Sequence, residues 1–244
     1  MSWEAPQTIA DNYFSFVKRA VNDEELFRTF KVNNDYISVV GMSHTWQGER
    51  FLNRIKEHPD IYARLSEFME NDQIGAPVMM DIDGKTISPN TLRHIQSLCD
   101  IKKHFGNLDG KVISELGVGY GATAYVVGKY YKPAAYHLID VPEVQKFALK
   151  YLGLLGIPAT DTPPPKKVDL FISEFCVTEF DDEDLYKFYE KYIQNAEHVY
   201  IMSNLFDENR KQRFIRRMNE DFNLEIIPET HGTTFPAYII IGHK

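Results

Sequence analysis

The sequence predicts an α/β fold: a mostly parallel sheet flanked by helices, behind a helical N-terminal extension. Three observations carry that prediction. From Lys111 onward, short apolar runs alternate with helical patterns, as in parallel strands joined by crossover helices. The first run passes into helix through a glycine-rich turn, Gly117-Val118-Gly119-Tyr120-Gly121. The composition, 43% hydrophobic and 25% charged over 244 residues, is that of a chain that buries a core, and it excludes a disordered polypeptide.

Residues 1–110 read as helices and loops. Phe14, Val17 and Val21 recur at helical spacing, with Tyr13 and Ala20 beside them. Phe51, Leu52 and Ile55 make a second stripe, and Ile61, Leu65, Phe68 and Met69 a third. A loop is predicted from Asn71 to Lys85, broken by Gly75, Pro77 and Gly84. Ser88-Pro89-Asn90-Thr91 then opens a helix. Ser88 supplies a cap, and Pro89 suits the first turn, where its missing N–H is not needed. Leu92, Ile95, Leu98 and Cys99 give this helix a buried face, and Gly106 and Gly110 close it.

Residues 111–244 read as strand and helix in turn. Val112 to Leu116 is a strand, followed by a helix from Ala122 to about Tyr130. Tyr136 to Ile139 is a strand ending at Asp140, and Pro142 opens a helix to about Leu155. A weak strand is expected near Ile157–Ala159. Strands follow at Val168–Ser173, His198–Ser203, Leu224–Ile227 and Tyr238–Ile241, with helices at Asp181–Ala196 and Glu208–Asp221. About ten residues without a helical pattern part the last two strands, which predicts an antiparallel hairpin.

The formal net charge is −8, and each part carries half of it: 12 basic against 16 acidic side chains in 1–110, 15 against 19 in 111–244. That balance speaks against nucleic acid as a partner. The densest basic run, Arg210, Lys211, Arg213, Arg216 and Arg217, fits the polar face of one surface helix. Two cysteines far apart, Cys99 and Cys176, suit a reducing compartment. No apolar run approaches the ~20 residues of a membrane span, and the N-terminus lacks a secretory pattern. A cytoplasmic protein with no membrane partner is expected. The first 40 residues are free to form a homodimer, cover the site or follow a preceding domain.

The sharpest motif is Ser114-Glu115-Leu116-Gly117-Val118-Gly119-Tyr120-Gly121-Ala122. Glycine belongs where backbone must pass close to a ligand, and the following helix turns its N-terminal amides to the same spot. Asp140 ends the next strand, 25 residues after Glu115. An acid there can accept hydrogen bonds from both ribose hydroxyls of an adenosine moiety. The G-x-G-x-G spacing leaves NAD(P) open. Three features favour S-adenosylmethionine: the acid two positions before Gly117, the expected terminal hairpin, and a 134-residue domain too short for a two-halved dinucleotide fold with its substrate domain.

Three stretches carry a family resemblance: Ile87-Ser88-Pro89-Asn90-Thr91-Leu92-Arg93-His94, Glu115-Leu116-Gly117-Val118-Gly119-Tyr120-Gly121 and Leu138-Ile139-Asp140-Val141-Pro142-Glu143. Through them the chain resembles the Rossmann-like, seven-stranded class I methyltransferase fold and, more narrowly, the sugar O-methyltransferase family of bacteria and viruses. A weaker echo is Ile172-Ser173-Glu174-Phe175-Cys176-Val177-Thr178-Glu179, where the family usually has Asn in place of Glu174. The likeness covers roughly residues 41–244. It implies a helical region at 1–110 on the acceptor side and an S-adenosylmethionine-binding domain at 111–244. It implies methyl transfer to a hydroxyl of a sugar or glycan, with a 6-deoxyhexose as a reasonable acceptor. The cofactor would meet Glu115, Gly117, Gly119, Tyr120, Gly121, Asp140, Arg93 and Glu174. A non-sugar small-molecule acceptor and an NAD(P)-dependent oxidoreductase are the alternatives.

Methyl transfer to a hydroxyl needs in-line positioning and a group to take the proton. Ligands of open α/β sheets lie beyond the C-terminal ends of the strands. His231, in the loop joining the last two strands, is the expected base, since imidazole titrates near working pH. Glu179 is the second candidate. His44, His94 and Asn204 are expected on the substrate side. Glu174, Glu179, Asp181 and Asp182 form an oxygen-rich group able to suit a divalent metal, but an acidic helix N-terminus explains it more simply, and no metal ligand is assigned.

Overall fold

The computed structural model describes residues 7–204, 207–229 and 237–244. The N-terminal part is helical: α1 (Gln7–Ala20), α2 (Glu24–Arg28), α3 (Asn34–Val40), α4 (Thr45–Lys56), α5 (Pro59–Ala63) and α6 (Leu65–Phe68). The buried face of α1 is Tyr13, Phe16, Val17 and Ala20, while Phe14 stays 39% exposed. These four follow the i, i+3, i+4, i+7 rule, one position off the stripe expected through Phe14 and Val21.

The loop predicted from Asn71 to Lys85 is in part a hairpin. Strands β1 (Met80–Ile82) and β2 (Lys85–Ile87) pair antiparallel about Asp83-Gly84, both with positive φ. Asp-Gly is suited to such a two-residue turn, and three-residue strands are too short to show alternation. The predicted helix then follows as α7 (Pro89–Phe105), with the Ser88 hydroxyl accepting the Asn90 N–H at 3.2 Å.

The main sheet contains β3 (Val112–Leu116), β4 (Ala135–Ile139), β5 (Val168–Glu174), β6 (Ala196–Ser203), β7 (Asn223–Glu229) and β8 (Ala237–His243). Its order is β4-β3-β5-β6-β8-β7. The first four strands are parallel, and β7 and β8 form the expected antiparallel edge. This is the predicted Rossmann-like α/β fold with a helical N-terminal extension, built on six strands instead of seven among the described residues. The weak strand near Ile157–Ala159 is reduced to one bridge from Thr160 to His137 on the free edge of β4. Thr160 exchanges bonds with β4, giving its N–H to Tyr136 O and accepting from Leu138 N–H. Pro158 has no N–H to extend that ladder, and Pro163-Pro164-Pro165 follow.

Helices α8 (Ala122–Tyr130) and α9 (Pro142–Leu154) join the early strands, and α10 (Asp182–Phe188) and α11 (Glu208–Met218) the later ones. Alternation along β6 sends Tyr200 and Met202 to one face, Val199 and Ile201 to the other. The first face shares a core with α1, α7, α8 and α9, and the second packs on α10 and α11. The N-terminal helices thus pack into the core on the first face of the sheet. No described helix is long and apolar enough to cross a membrane.

Candidate functional site

Strand β3 ends at Leu116 and the chain turns through Gly117, Gly119 and Gly121, whose φ values are 79°, 52° and 90°. These left-handed conformations are open to glycine and strained for other residues. At Gly117 space adds a second demand, because a Cβ there would collide with the side chain of Cys176, whose Sγ would lie 2.6 Å away. Gly121 caps α8, so the unpaired amides of that helix's first turn open at the end of β3.

Asp140, just beyond β4, ties this turn down. Its Oδ2 accepts the Val118 N–H at 2.9 Å, and its Oδ1 accepts the Val141 N–H at 2.8 Å. Burial pushes its carboxyl up to about 6, while the N–H groups of Val141, Val118 and Gly119 hold it down. Glu115 is buried within β3 and accepts the Tyr136 hydroxyl at 2.6 Å. Burial raises its carboxyl well above the usual carboxylate range, with Glu174 and Asp140 adding to the shift. Tyr120 packs its ring edge-on against Tyr151, 4.9 Å between centroids.

A narrow cavity opens beside Tyr120, lined among others by Lys31, Asn90, Arg93 and His94. Helix α7 delivers the last three. Its first turns are buried, and the Asn90 side chain accepts the Ser43 N–H at 2.7 Å, joining the helix to the segment before α4. Among the described residues, buried polar atoms of this region without a hydrogen-bond partner include Arg93 Nε, Glu174 Oε2 at the end of β5 and Asn204 Oδ1 just past β6, besides the Tyr36 and Tyr120 hydroxyls in the cavity wall. Such orphaned atoms are costly in a folded chain and mark places where a ligand can supply the missing bond.

The structure gathers Glu115, the three glycines, Tyr120, Asp140, Arg93, His94 and Glu174 around the ends of β3, β4 and β5. Asn204 lies at the end of the adjoining β6. Other expectations fall elsewhere. His44 is exposed at the N-terminus of α4, where its N–H donates to Gln47 Oε1 at 2.7 Å. Glu179 is exposed beyond the turn Cys176–Thr178. Asp181 caps α10, accepting the Asp184 N–H at 2.8 Å, and Asp182 pairs with Arg210 and Arg213. Among the described residues no three acidic, His or Cys side chains gather to hold a metal. His231 lies outside the described residues.

Two residues of this region escape the sequence analysis. Lys31 is 3% exposed and has no carboxylate within ion-pair distance among the described residues. Its ammonium donates to Asn71 O and to the Tyr151 hydroxyl, and lies 4.8 Å from the Tyr120 ring centre. Burial pushes it down to about 7, against the pull of Asp72. The signal available was a lone cation in the apolar run Phe30-Lys31-Val32. Thr123, in the first turn of α8, donates its hydroxyl to Glu174 Oε1 at 3.3 Å. Its signal was its place two residues past Gly121.

No family model and no curated protein matches the chain. Solved structures show a limited likeness. The magnesium protoporphyrin IX methyltransferase of Synechocystis PCC 6803, with bound SAM, is 13% identical at a TM-score of 0.49, over 63% of this chain and 83% of its own. An rRNA methylase from Streptococcus thermophilus is 16% identical at 0.47, over 62% and 96%. The TrmK of M. capricolum, in complex with S-adenosyl-homocysteine, is 12% identical at 0.45, over 61% and 67%. At these values neither cofactor nor acceptor passes from those proteins to this chain.

Proposed function

We propose that the chain is an S-adenosylmethionine-dependent O-methyltransferase acting on a sugar hydroxyl, with a 6-deoxyhexose in a glycan as the first acceptor to try. The observation that carries the cofactor is the convergence of the glycine turn, the α8 N-terminus and Asp140 with the orphaned atoms of Arg93 and Glu174. With the N–H groups of Val141, Val118 and Gly119 on it, the Asp140 carboxylate keeps an acceptor site for a ribose hydroxyl. Arg93 suits the carboxylate of the cofactor's amino-acid end, and Glu174 its ammonium. A Cβ at Gly117 would collide with Cys176 and push the turn out of place.

When bound, S-adenosylmethionine supplies an electrophilic methyl group on a sulfonium. The protein's own part is to hold the acceptor in line, exclude water and take the hydroxyl proton. Residues 111–244 hold the cofactor, with Arg93 reaching in from α7, and the rest of residues 1–110 serves the acceptor side. A neutral acceptor suits the −8 net charge better than a polyanion. Four of the five cations in the basic run of α11 are paired within the fold: Arg210 and Arg213 with Asp182, Lys211 with Glu208, and Arg217 with Glu220 and Asp221.

Labelled methyl transfer to a panel of hexoses, 6-deoxyhexoses, nucleotide-sugars and phenols tests the acceptor. Label in a sugar is the expected result. Label confined to the phenols would remove the sugar and keep the methyl transfer.

A further inference from the structure

His94 sits where α7 meets the first turn of α8, 7% exposed, with its ring edge-on to Tyr120. Its Nδ1 lies 3.1 Å from Thr123 Oγ1. The Thr123 hydroxyl is itself 3.3 Å from Glu174 Oε1, and a carboxylate can only accept, so Thr123 gives its proton to Glu174. Thr123 Oγ1 must then receive the bond from His94. Glu174 Oε2, 3.9 Å from the same Nδ1, reinforces that polarity. The proton of neutral His94 therefore sits on Nδ1. Nε2, on the opposite side of the ring, keeps its lone pair and meets no partner among the described residues.

We propose that His94 is the general base of the methyl transfer, with Thr123 and Glu174 as positioning residues that fix its tautomer. This rests on the methyltransferase reading above. The arrangement follows the logic of a base oriented by a third group behind it. As the acceptor oxygen bonds to the methyl carbon, the sulfur–methyl bond breaks and its electron pair stays on the departing thioether. The hydroxyl proton moves to His94 Nε2. The imidazolium so formed faces the Glu174 carboxylate through Thr123, and its proton passes to water as the products leave.

Among the described residues, two charged groups face the ring besides Glu174. Arg93 on the same helix and Lys31 on the turn after α2 disfavour the imidazolium, and burial disfavours it most. Together they hold His94 well below the ordinary histidine value, so it is neutral and competent at pH 7. Deprotonated base is lost only in acid, which sets the limb of the pH profile.

Long-range proton–nitrogen correlation spectra of the histidine-labelled protein, with His94 assigned by its loss in His94→Gln, read the tautomer directly. The expected result is a proton on Nδ1, bare Nε2 and no titration until well below pH 6.5. A proton on Nε2, or an imidazolium at pH 7, overturns the proposal. Calorimetry with S-adenosylhomocysteine separates this from the parent reading: His94→Gln should bind it within about three-fold of wild type. Turnover by His94→Gln should fall ~100-fold or more. Added imidazole should restore part of the activity of His94→Gly, which a packing role would not allow. Turnover of His94→Gln within three-fold of wild type overturns the assignment. If wild type does not bind S-adenosylhomocysteine, the methyltransferase reading fails while the tautomer remains measured. Thr123→Val keeps the fold in a second variant and should release the tautomer, with a fall in kcat and an unchanged KM for the cofactor.

Discussion

The turn between β3 and α8 and the buried helix α7 meet at one cavity, yet they are built in opposite ways. The turn works through backbone. Its positive φ values, its tight contact with Cys176 and its bonds to Asp140 leave little that a side chain could change without harm. Helix α7 works through side chains. Arg93 and His94 stand in a helix buried along most of its length, among neighbours contributed by distant segments. A backbone device is rigid and intolerant. A side-chain device is tunable, and its chemistry depends on what other elements bring to it.

That contrast predicts graded consequences. Gly117→Val should be the most damaging change, because it adds a forbidden φ to a collision with Cys176. A loss of about 2–4 kcal/mol by denaturant titration and undetectable S-adenosylhomocysteine binding are expected. Trimming Cys176 to Gly in the same chain should recover part of the stability and leave the φ strain. Full recovery would show that the turn has no backbone demand.

Asp140→Asn comes next. It should weaken S-adenosylhomocysteine binding ~10-fold or more while the protein stays folded. Wild-type affinity should fall as pH drops below about 6, where the buried carboxyl takes a proton, and Asp140→Asn should flatten that dependence. An affinity indifferent to both would place the ribose elsewhere.

Lys31→Met probes the side-chain wall through stability. The folded value of Lys31, about 7, lies below its ordinary 10.5. Between those values the unfolded chain binds a proton that the folded chain refuses, so stability should rise with pH across that window and be lowest below 7. Melting temperatures of wild type and Lys31→Met between pH 7.5 and 9.5 should diverge in slope, with the variant flatter. Parallel slopes would mean that Lys31 is charged in the folded state. The smallest effect belongs to Arg213→Ala on α11, an exposed pair with Asp182. Neither melting temperature nor cofactor binding should move measurably.

The same contrast governs what the sequence reveals. Strands from β3 onward were legible because alternating or continuous apolar runs, bounded by glycine and proline, report a local requirement. The glycine turn and Asp140 were legible for the same reason, since residue type and spacing carry the geometry. Helix α7 was legible only as a helix with one apolar face. That His94, Gln96, Ser97 and Asp100 are buried as well follows from packing on two sides, which no local pattern encodes. Thr123 and Lys31 acquire their roles from Glu174, Asn71 and Tyr151, all distant in sequence. The phase of α1 was missed because Phe14 and Phe16 are equally apolar, and only the packing of Phe16 beside Tyr36 decides between them.

The most direct test of the account is calorimetry of the wild-type chain with S-adenosylhomocysteine and, separately, with NAD and NADP. One S-adenosylhomocysteine per chain, bound with no detectable binding of either dinucleotide, is the predicted result. A dinucleotide bound in its place would contradict the assignment of the glycine turn, Asp140, Arg93 and Glu174 to a methyl donor.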